Sequence, residues 1–149
     1  EPGNMTLGEG EVFVAEWRLV VWQIVGADTY DPAVAIKSDD AWSAGFGFFP
    51  DRVRSVFESD VYIDISPGLF HSYRLISDDM RTYDFFIDGE LVRQGAFWNG
   101  VASSRVAWGD SVLGAGSLAQ WDYFRFGIVP EPSAGLAGIV ATLFTGKTR

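Results

Sequence analysis

Acidic side chains alternate along residues 58–65, and their spacing suits general acid–base chemistry. Glu58, Asp60, Tyr62 and Asp64 fall at every second position. Because side chains of a β-strand alternate between its two faces, a strand here would present all four on one face. Two carboxyl groups about 5–5.5 Å apart can hydrolyse a glycosidic bond as nucleophile and acid–base pair. A second interpretation stays open, because acidic alternation is also the ordinary solvated face of a sandwich strand.

Aromatic side chains offer another kind of chemistry, because a flat ring can stack on the apolar face of a sugar. Trp17 shares the parity of its apolar strand neighbours and Trp121 lies beside another aromatic residue, so both are predicted to lie in the core. Trp98 precedes Asn-Gly in a predicted loop, where core packing explains an aromatic side chain less well than it does in a strand. The candidate ligand-binding residues are Trp22, Trp42, Trp98 and Trp108.

The residues that several other kinds of site require are absent from this sequence. His71 is the only histidine, the chain has no cysteine, and no Gly-x-Ser-x-Gly motif is present. A thiolate zinc site and a disulfide scaffold are therefore excluded, and neither a serine triad nor a His-based metal site is predicted. We expect His71 to be packed or hydrogen-bonded locally at the start of a strand.

Composition predicts one acidic domain. The 149 residues are 48% hydrophobic and include 12 Phe, 6 Trp and 5 Tyr, which is enough for one core. The net charge is −9, so nucleic acid and anionic lipid surfaces are repelled on average, and no nucleic-acid partner is predicted. Glu1 is not an initiator methionine, so we expect a processed or truncated chain.

Apolar and polar residues alternate through much of the chain, and no stretch inside the domain keeps helical periodicity for long. The domain is therefore predicted to be mainly β. Strands at this spacing, linked by Gly- and Asp-rich turns, fit a two-sheet sandwich. The predicted strands cover residues 13–22, 33–36, 42–49, 53–57, 61–65, 70–75, 83–92, 105–108 and 120–129.

Two of these strands, FHSYRL (residues 70–75) and YDFFIDGELV (residues 83–92), form a predicted hairpin. Asp88-Gly89 is a tight turn within the second segment, since both residues tolerate positive φ. The pair resembles the F-H-x-Y … Y-x-F/V-D-G signature of concanavalin A-like jelly rolls, which include legume-type lectins, laminin-G-like modules and laminarinase-like β-glucanases. The resemblance implies an antiparallel two-sheet jelly roll of a kind that commonly handles glycans. Shared parity predicts that the core contains Tyr73, Leu75, Tyr83, Phe85 and Ile87.

The glucanases of this group carry E-x-D-x-(x)-E on one strand. In this chain Tyr62 stands where the five-residue version has its second Glu, and Asp64 lies one position beyond the six-residue version. The stretch from Asp64 to Tyr73 instead resembles the short lead-in of non-catalytic lectin-like and laminin-G-like domains. We therefore predict no catalysis; if the chain is an enzyme, its catalytic set would be Glu58, Asp60 and Asp64.

The last strand, WDYFRF, resembles the V-D-Y-V-R-V-Y strand that closes many β-glucanase-like jelly rolls. There the Asp carboxylate helps to hold a structural calcium ion, and Asp122 is the matching position. Calcium takes six or more oxygen ligands, so one carboxylate cannot define a site. Asp122 could equally cap a turn or pair with an arginine.

Residues 130–149 form a separate tail after the domain, which is predicted to span residues 1–129. Pro-Glu-Pro precedes an apolar run at residues 134–144 and a basic end with Lys147 and Arg149. This order resembles the PEP-CTERM tail of exported bacterial proteins and implies an exosortase-type partner. Because a spanning helix needs about 20 apolar residues, we expect a short apolar, helical segment that meets the membrane only transiently.

The sequence as a whole predicts a secreted or cell-envelope bacterial protein that binds a polysaccharide or surface glycan as a non-catalytic, lectin-like module. The first alternative is a glycoside hydrolase or polysaccharide lyase related to the β-glucanases. The second alternative is a structural extracellular-matrix protein.

Overall fold

The computed structural model describes residues 6–25, 32–38, 40–58, 61–100, 105–110 and 116–131. Within these ranges the chain forms strands and no helix, so none of the described segments is a helix that could cross a membrane. The strands are β1 (Glu11–Val25), β2 (Ala33–Lys37), β3 (Trp42–Phe48), β4 (Arg52–Ser55), β5 (Tyr62–Asp64), β6 (His71–Ser77), β7 (Thr82–Ile87), β8 (Glu90–Ala96), β9 (Trp98–Asn99), β10 (Arg105–Gly109) and β11 (Gly116–Pro130).

The strands form two antiparallel sheets. One has five strands in the order β11-β1-β6-β7-β8, and the other has six, with the order β10-β2-β3-β4-β5 and β9 paired to β3. The sheets pack face to face and enclose one apolar core. The predicted all-β, two-sheet antiparallel jelly-roll sandwich is confirmed. The predicted tail, residues 130–149, lies outside the described residues from residue 132 onward.

Trp17 of β1 occupies the centre of the core and is fully buried. Its indole stacks on Tyr73 of β6, with ring centroids 5.7 Å apart, and on Phe124 of β11, at 5.6 Å. The core prediction for the hairpin is confirmed, because alternate residues of β6 and β7 point inward. The exposed fractions are 2% for Tyr73, 0% for Leu75, 4% for Tyr83, 0% for Phe85 and 7% for Ile87.

The turn between β7 and β8 has the predicted form. Asp88 and Gly89 both adopt positive φ, 51° and 87°, as a tight hairpin turn requires. The Asp88 carboxylate also lies 2.6 Å from Nδ1 of His71, while Nε2 of His71 lies 2.8 Å from the Ser66 carbonyl oxygen. His71 is therefore hydrogen-bonded locally, as expected.

The terminal strand β11 is longer than predicted and contains a bulge. It begins at Gly116 and ends at Pro130, and the Glu131 N–H donates to the Gly10 carbonyl at 2.7 Å. The pairing partners of β1 jump from Tyr123 to Trp121, so Asp122 is the unpaired, bulged residue. Trp121 consequently packs against the core, as predicted.

Candidate functional site

A groove of about 630 Å³ crosses the outer face of the five-stranded sheet. We call it the outer groove. Its position follows from the register, which places Gly127, Val14, Ile76, Asp84 and Gln94 side by side on β11, β1, β6, β7 and β8. Val14 and Ile76 of this row are apolar, and Gly127 on the edge strand β11 has no side chain, so the row carries no polar side chain before Asp84. Its lining includes Val12, Val14, Ile76, Asp78, Asp84, Gln94, Val129 and Glu131.

Polar groups stand beside this apolar floor. The Gln94 side-chain amide donates to Oδ1 of Asp84 at 3.0 Å, which fixes both side chains across β7 and β8. A carboxylate oxygen accepts up to two hydrogen bonds, so Asp84 keeps acceptor capacity toward the groove. The carboxylates of Asp78 and Glu131 lie at other points of the same lining. The groove therefore combines an apolar floor with hydrogen-bond acceptors for hydroxyl groups.

A row of charged residues borders the groove on the same face. Glu16 of β1 lies directly opposite Arg125 of β11 and Arg74 of β6. Its side chain is 6% exposed, and it accepts hydrogen bonds from Nε of Arg74 and from Nε of Arg125, the second at 2.7 Å. A buried carboxylate with two guanidinium partners is satisfied and holds both of them in place.

The alternating carboxylates predicted at residues 58–64 do not share one strand. β5 covers only residues 62–64, where Tyr62 and Asp64 are exposed, and Asp60 lies outside the described residues. Glu58 lies in a bend beyond the end of β4 and forms an ion pair with Arg93 of β8. Glu58 therefore lies outside both β4 and β5, and the structure does not bring it onto one strand face with Tyr62 and Asp64.

Trp22 and Trp42 lie in different surroundings. Trp22 is the bulged residue of β1 at the second irregularity of the β1–β11 pair, and it is exposed. Trp42 of β3 is half-buried against the core, and the Arg81 guanidinium lies 4.5 Å above its ring centroid. Trp42 is therefore already covered by a cation–π contact.

Trp98 and Trp108 both stack on a phenylalanine. Trp98 belongs to the short strand β9 rather than to the predicted loop, because it pairs with Ser43 of β3. Its exposed ring is parallel to that of Phe57, at 5.4 Å. Trp108 of β10 stacks on Phe124 of the opposite sheet at 4.4 Å. The four candidate tryptophans thus lie on four strands, and none of them is among the lining residues of the outer groove.

Asp122 pairs with an arginine. Nη1 of Arg18 donates to Oδ2 of Asp122 at 2.8 Å, across the bulge of β11. Among the described residues, no group of three or more His, Asp or Glu side chains is placed to hold a metal ion. Calcium at Asp122 stays a prediction that rests on the resemblance alone.

Sequence reasoning missed the outer groove, although one signal was present. The core-facing residues of β1 alternate with Val12, Val14 and Val20, which are also apolar and are buried on the opposite face. The outer face of β1 is therefore apolar at these three positions, although Glu16 and Arg18 share it. This pattern indicates that the second face of β1 is not an ordinary solvated surface.

Comparison with models of known protein families finds no match, and comparison with curated proteins finds no significant relative.

Proposed function

We propose that this chain is a non-catalytic carbohydrate-binding module that holds a polysaccharide or surface glycan in the outer groove. The observation that carries the proposal is the pairing of an apolar floor with a fixed carboxylate and amide in one open groove. Ile76 and Val129, which are partly exposed, supply a surface for the apolar face of a sugar ring, and Asp84 and Gln94 supply partners for its hydroxyl groups. Ligand sites commonly combine an apolar lining with a few oriented polar groups.

One observation favours a second candidate, a glycoside hydrolase or polysaccharide lyase. Asp78, Asp84 and Glu131 bring three carboxylates to the lining of one groove, and paired carboxylates are what glycoside hydrolysis needs. The groove is open, which gives no support to the third alternative, a purely structural matrix protein. Release of reducing or unsaturated sugars by the wild type, lost in Asp84→Asn, would establish the enzyme and overturn the non-catalytic proposal.

The proposed site of action is the cell envelope or the surroundings of a bacterial cell. The support for this is the PEP-CTERM-like order of parts in residues 130–149, which would be processed by an exosortase-type partner. That argument rests on the sequence alone. It is independent of the outer groove, so either half of the proposal can fail without the other.

A glycan array probed with and without calcium tests binding, and a pair of glycine variants locates it. Gly127 of β11 pairs with Val14, which lines the groove, and a side chain at Gly127 would meet no atom within 4 Å. Gly127→Tyr should therefore fill the groove without disturbing the fold, and we expect at least about tenfold weaker glycan binding.

Gly116→Tyr is the matched control. Gly116 begins the same strand and also has open space around it, but it lies eleven residues away, about 37 Å along β11. The control should bind as the wild type does. Equal loss in both variants would remove the outer groove as the site, and failure of the wild type to bind any glycan would overturn the proposed function.

A further inference from the structure

The charged residues that line the outer groove are all acidic. Among its described lining residues, Asp78, Asp84 and Glu131 carry carboxyl groups, and none is a lysine, an arginine or a histidine. The whole chain carries a net charge of −9, so the groove and its surroundings have the same sign. A ligand in this groove therefore meets an electrostatic field that favours positive charge.

Three arginines on the same face of the sheet each contact a carboxylate that does not line the groove. Arg74 and Arg125 contact Glu16, and Arg18 donates to Asp122. Neither carboxylate is among the groove's lining residues, and neither is any of these arginines. This row of ion pairs is nearly balanced in charge, and it leaves the lining carboxylates without a cationic partner from the row.

Three lining side chains that can donate hydrogen bonds are already engaged. The Ser77 hydroxyl donates to the Thr82 carbonyl at 2.6 Å, and the Thr82 hydroxyl donates to Asp79 at 3.2 Å. The Gln94 amide donates to Asp84 at 3.0 Å, which leaves one amide N–H of Gln94 for a ligand. Each carboxylate oxygen accepts up to two hydrogen bonds, so acceptors outnumber donors in the groove. The groove is therefore complementary to a ligand that is rich in donors.

The lining carboxylates are spread along the groove. Asp84 belongs to β7, Asp78 follows the end of β6, and Glu131 follows the end of β11. β11 and β7 are three strand spacings apart in the sheet, which is about 14 Å. Within the described ranges, no group of three or more such side chains is placed to hold one metal ion. Each carboxylate therefore faces a different group of an extended ligand.

We propose that the outer groove selects polysaccharides with free amino groups, whose ammonium groups pair with the lining carboxylates while sugar rings lie on Ile76 and Val129. The proposal rests on the proposed function and names its ligand class. An ammonium group has three N–H donors and no acceptor, which matches a lining rich in acceptors. The open groove with its partly exposed apolar floor makes this a site for a sugar chain, and the carboxylates decide which sugar chain it takes.

The test compares three hexamers that share one β-linked glucose backbone and differ in one substituent of each ring. They are the glucosamine hexamer with ammonium groups, the N-acetylglucosamine hexamer with amides, and cellohexaose with hydroxyl groups. Affinity for the full chain is measured by calorimetry at about pH 5.5, where amino groups are protonated, and at about 20 mM and about 300 mM salt. We expect the glucosamine hexamer to bind at least about tenfold more tightly than either neutral hexamer at low salt, with a smaller advantage at high salt.

Two substitutions of Asp84 separate its charge from its shape. Asp84→Asn keeps the shape and an acceptor for Gln94, and should weaken binding of the glucosamine hexamer by about tenfold or more. Asp84→Glu changes the shape but keeps the charge, and should bind more tightly than Asp84→Asn, which a purely structural role would not predict. Asp64→Asn, at an exposed position of β5 in the other sheet, removes the same charge from the chain and should leave the affinity unchanged.

Hexalysine tests attraction by bulk charge, because it carries side-chain ammonium groups without sugar rings. It should bind at least about tenfold more weakly than the glucosamine hexamer. Equal affinity for hexalysine, wild-type affinity in Asp84→Asn, or an equal loss in Asp64→Asn would overturn the inference. Neutral hexamers bound as tightly as the glucosamine hexamer would overturn it too, but would leave the proposed function standing, which fails only if no glycan binds.

Discussion

Phe85 of β7 stacks face to face on Phe46 of β3 across the middle of the sandwich. The ring centroids are 4.3 Å apart, the planes differ by 9°, and both side chains are essentially fully buried. The two residues belong to different sheets, so this stack is a direct contact between the layers. It fixes the distance and orientation of the five-stranded sheet, whose outer face carries the groove, relative to the other sheet.

Phe85→Ala should lower the free energy of unfolding by about 3–5 kcal/mol, because it removes a buried ring and leaves a cavity beneath Phe46. Denaturant unfolding followed by tryptophan fluorescence measures the change. Leu91→Ala is the control, since Leu91 of β8 is half-exposed and should cost much less. Similar losses in the two variants would contradict the central role of the stack.

Glu58→Gln should destabilise the fold rather than change any chemistry on a glycan. It breaks the ion pair with Arg93, whose Nε atom is buried without a hydrogen-bond partner among the described residues. We expect a loss of about 1–3 kcal/mol, against little change for Glu90→Gln at the exposed start of the same strand β8. Hydrolysis of a β-glucan that disappears in Glu58→Gln would instead restore this residue as catalytic.

Much of the fold could be predicted because a period of two is a local property. Tyr73 and Phe85 point inward in any strand with that alternation, whichever strands are its neighbours. Parity does not say where a strand begins or ends, and Glu58 lies outside β4 and β5 although it shares the parity of Asp64. Neither does it give partners: Glu16 meets an arginine 109 residues further along the chain, and only the assembled sheet shows this contact.

The outer groove depends on the same long-range order. It exists because β1 lies between β11 and β6, which brings Val12 beside Val129 and Val14 beside Ile76. No pattern within one segment encodes that arrangement. The tryptophans show the same limit. Trp98 and Trp108 are equally exposed, and the sequence does not tell that Trp98 stacks on Phe57 whereas Trp108 stacks on Phe124 of the opposite sheet.

Acid should destabilise the fold through Asp79 and Asp88. Burial alone would raise the pKa of Asp79, but the Thr82 and Arg81 backbone N–H groups donate to it and lower this pKa below its usual value. Burial likewise opposes the lowered pKa of Asp88, which the Ser72 N–H and His71 produce. A carboxyl group with a lowered folded-state pKa stabilises the fold above its unfolded pKa, and this contribution is lost as the pH falls through the folded value.

The melting temperature should therefore be nearly constant around pH 6 and fall below about pH 4. Asp79→Asn should lower it at pH 6 but reduce its further fall in acid, because one of the titrating groups is gone. Circular dichroism melts across this range measure both effects, with Asp64→Asn, at an exposed position of β5, as the control. An acid slope in Asp79→Asn identical to that of the wild type would count against this account.

Trp108→Ala should cost stability, whereas Trp22→Ala should cost little. Both indoles are about half exposed, but Trp108 stacks on Phe124 and covers the edge of the core between β10 and β11. We expect losses of about 2–3 kcal/mol for Trp108→Ala and about 0.5 kcal/mol for Trp22→Ala in denaturant unfolding. Equal stability of the two variants would show that the stack is dispensable and would return Trp108 to the ligand-binding candidates.

Removal of the tail should leave the sandwich intact, provided that the cut falls at the right residue. Pro130 lies in β11 opposite Glu11, and the Glu131 N–H donates to the Gly10 carbonyl. A cut after Val129 would therefore remove native contacts, whereas a cut after Glu131 keeps them. A chain ending at Glu131 should unfold at the same temperature as the full chain.

If residues 134–144 are a sorting segment, only the full chain should partition into liposomes or detergent, because the apolar side chains of this segment favour that medium. Equal partitioning of both chains, together with a large loss of thermal stability on truncation, would show instead that the tail packs as part of the domain.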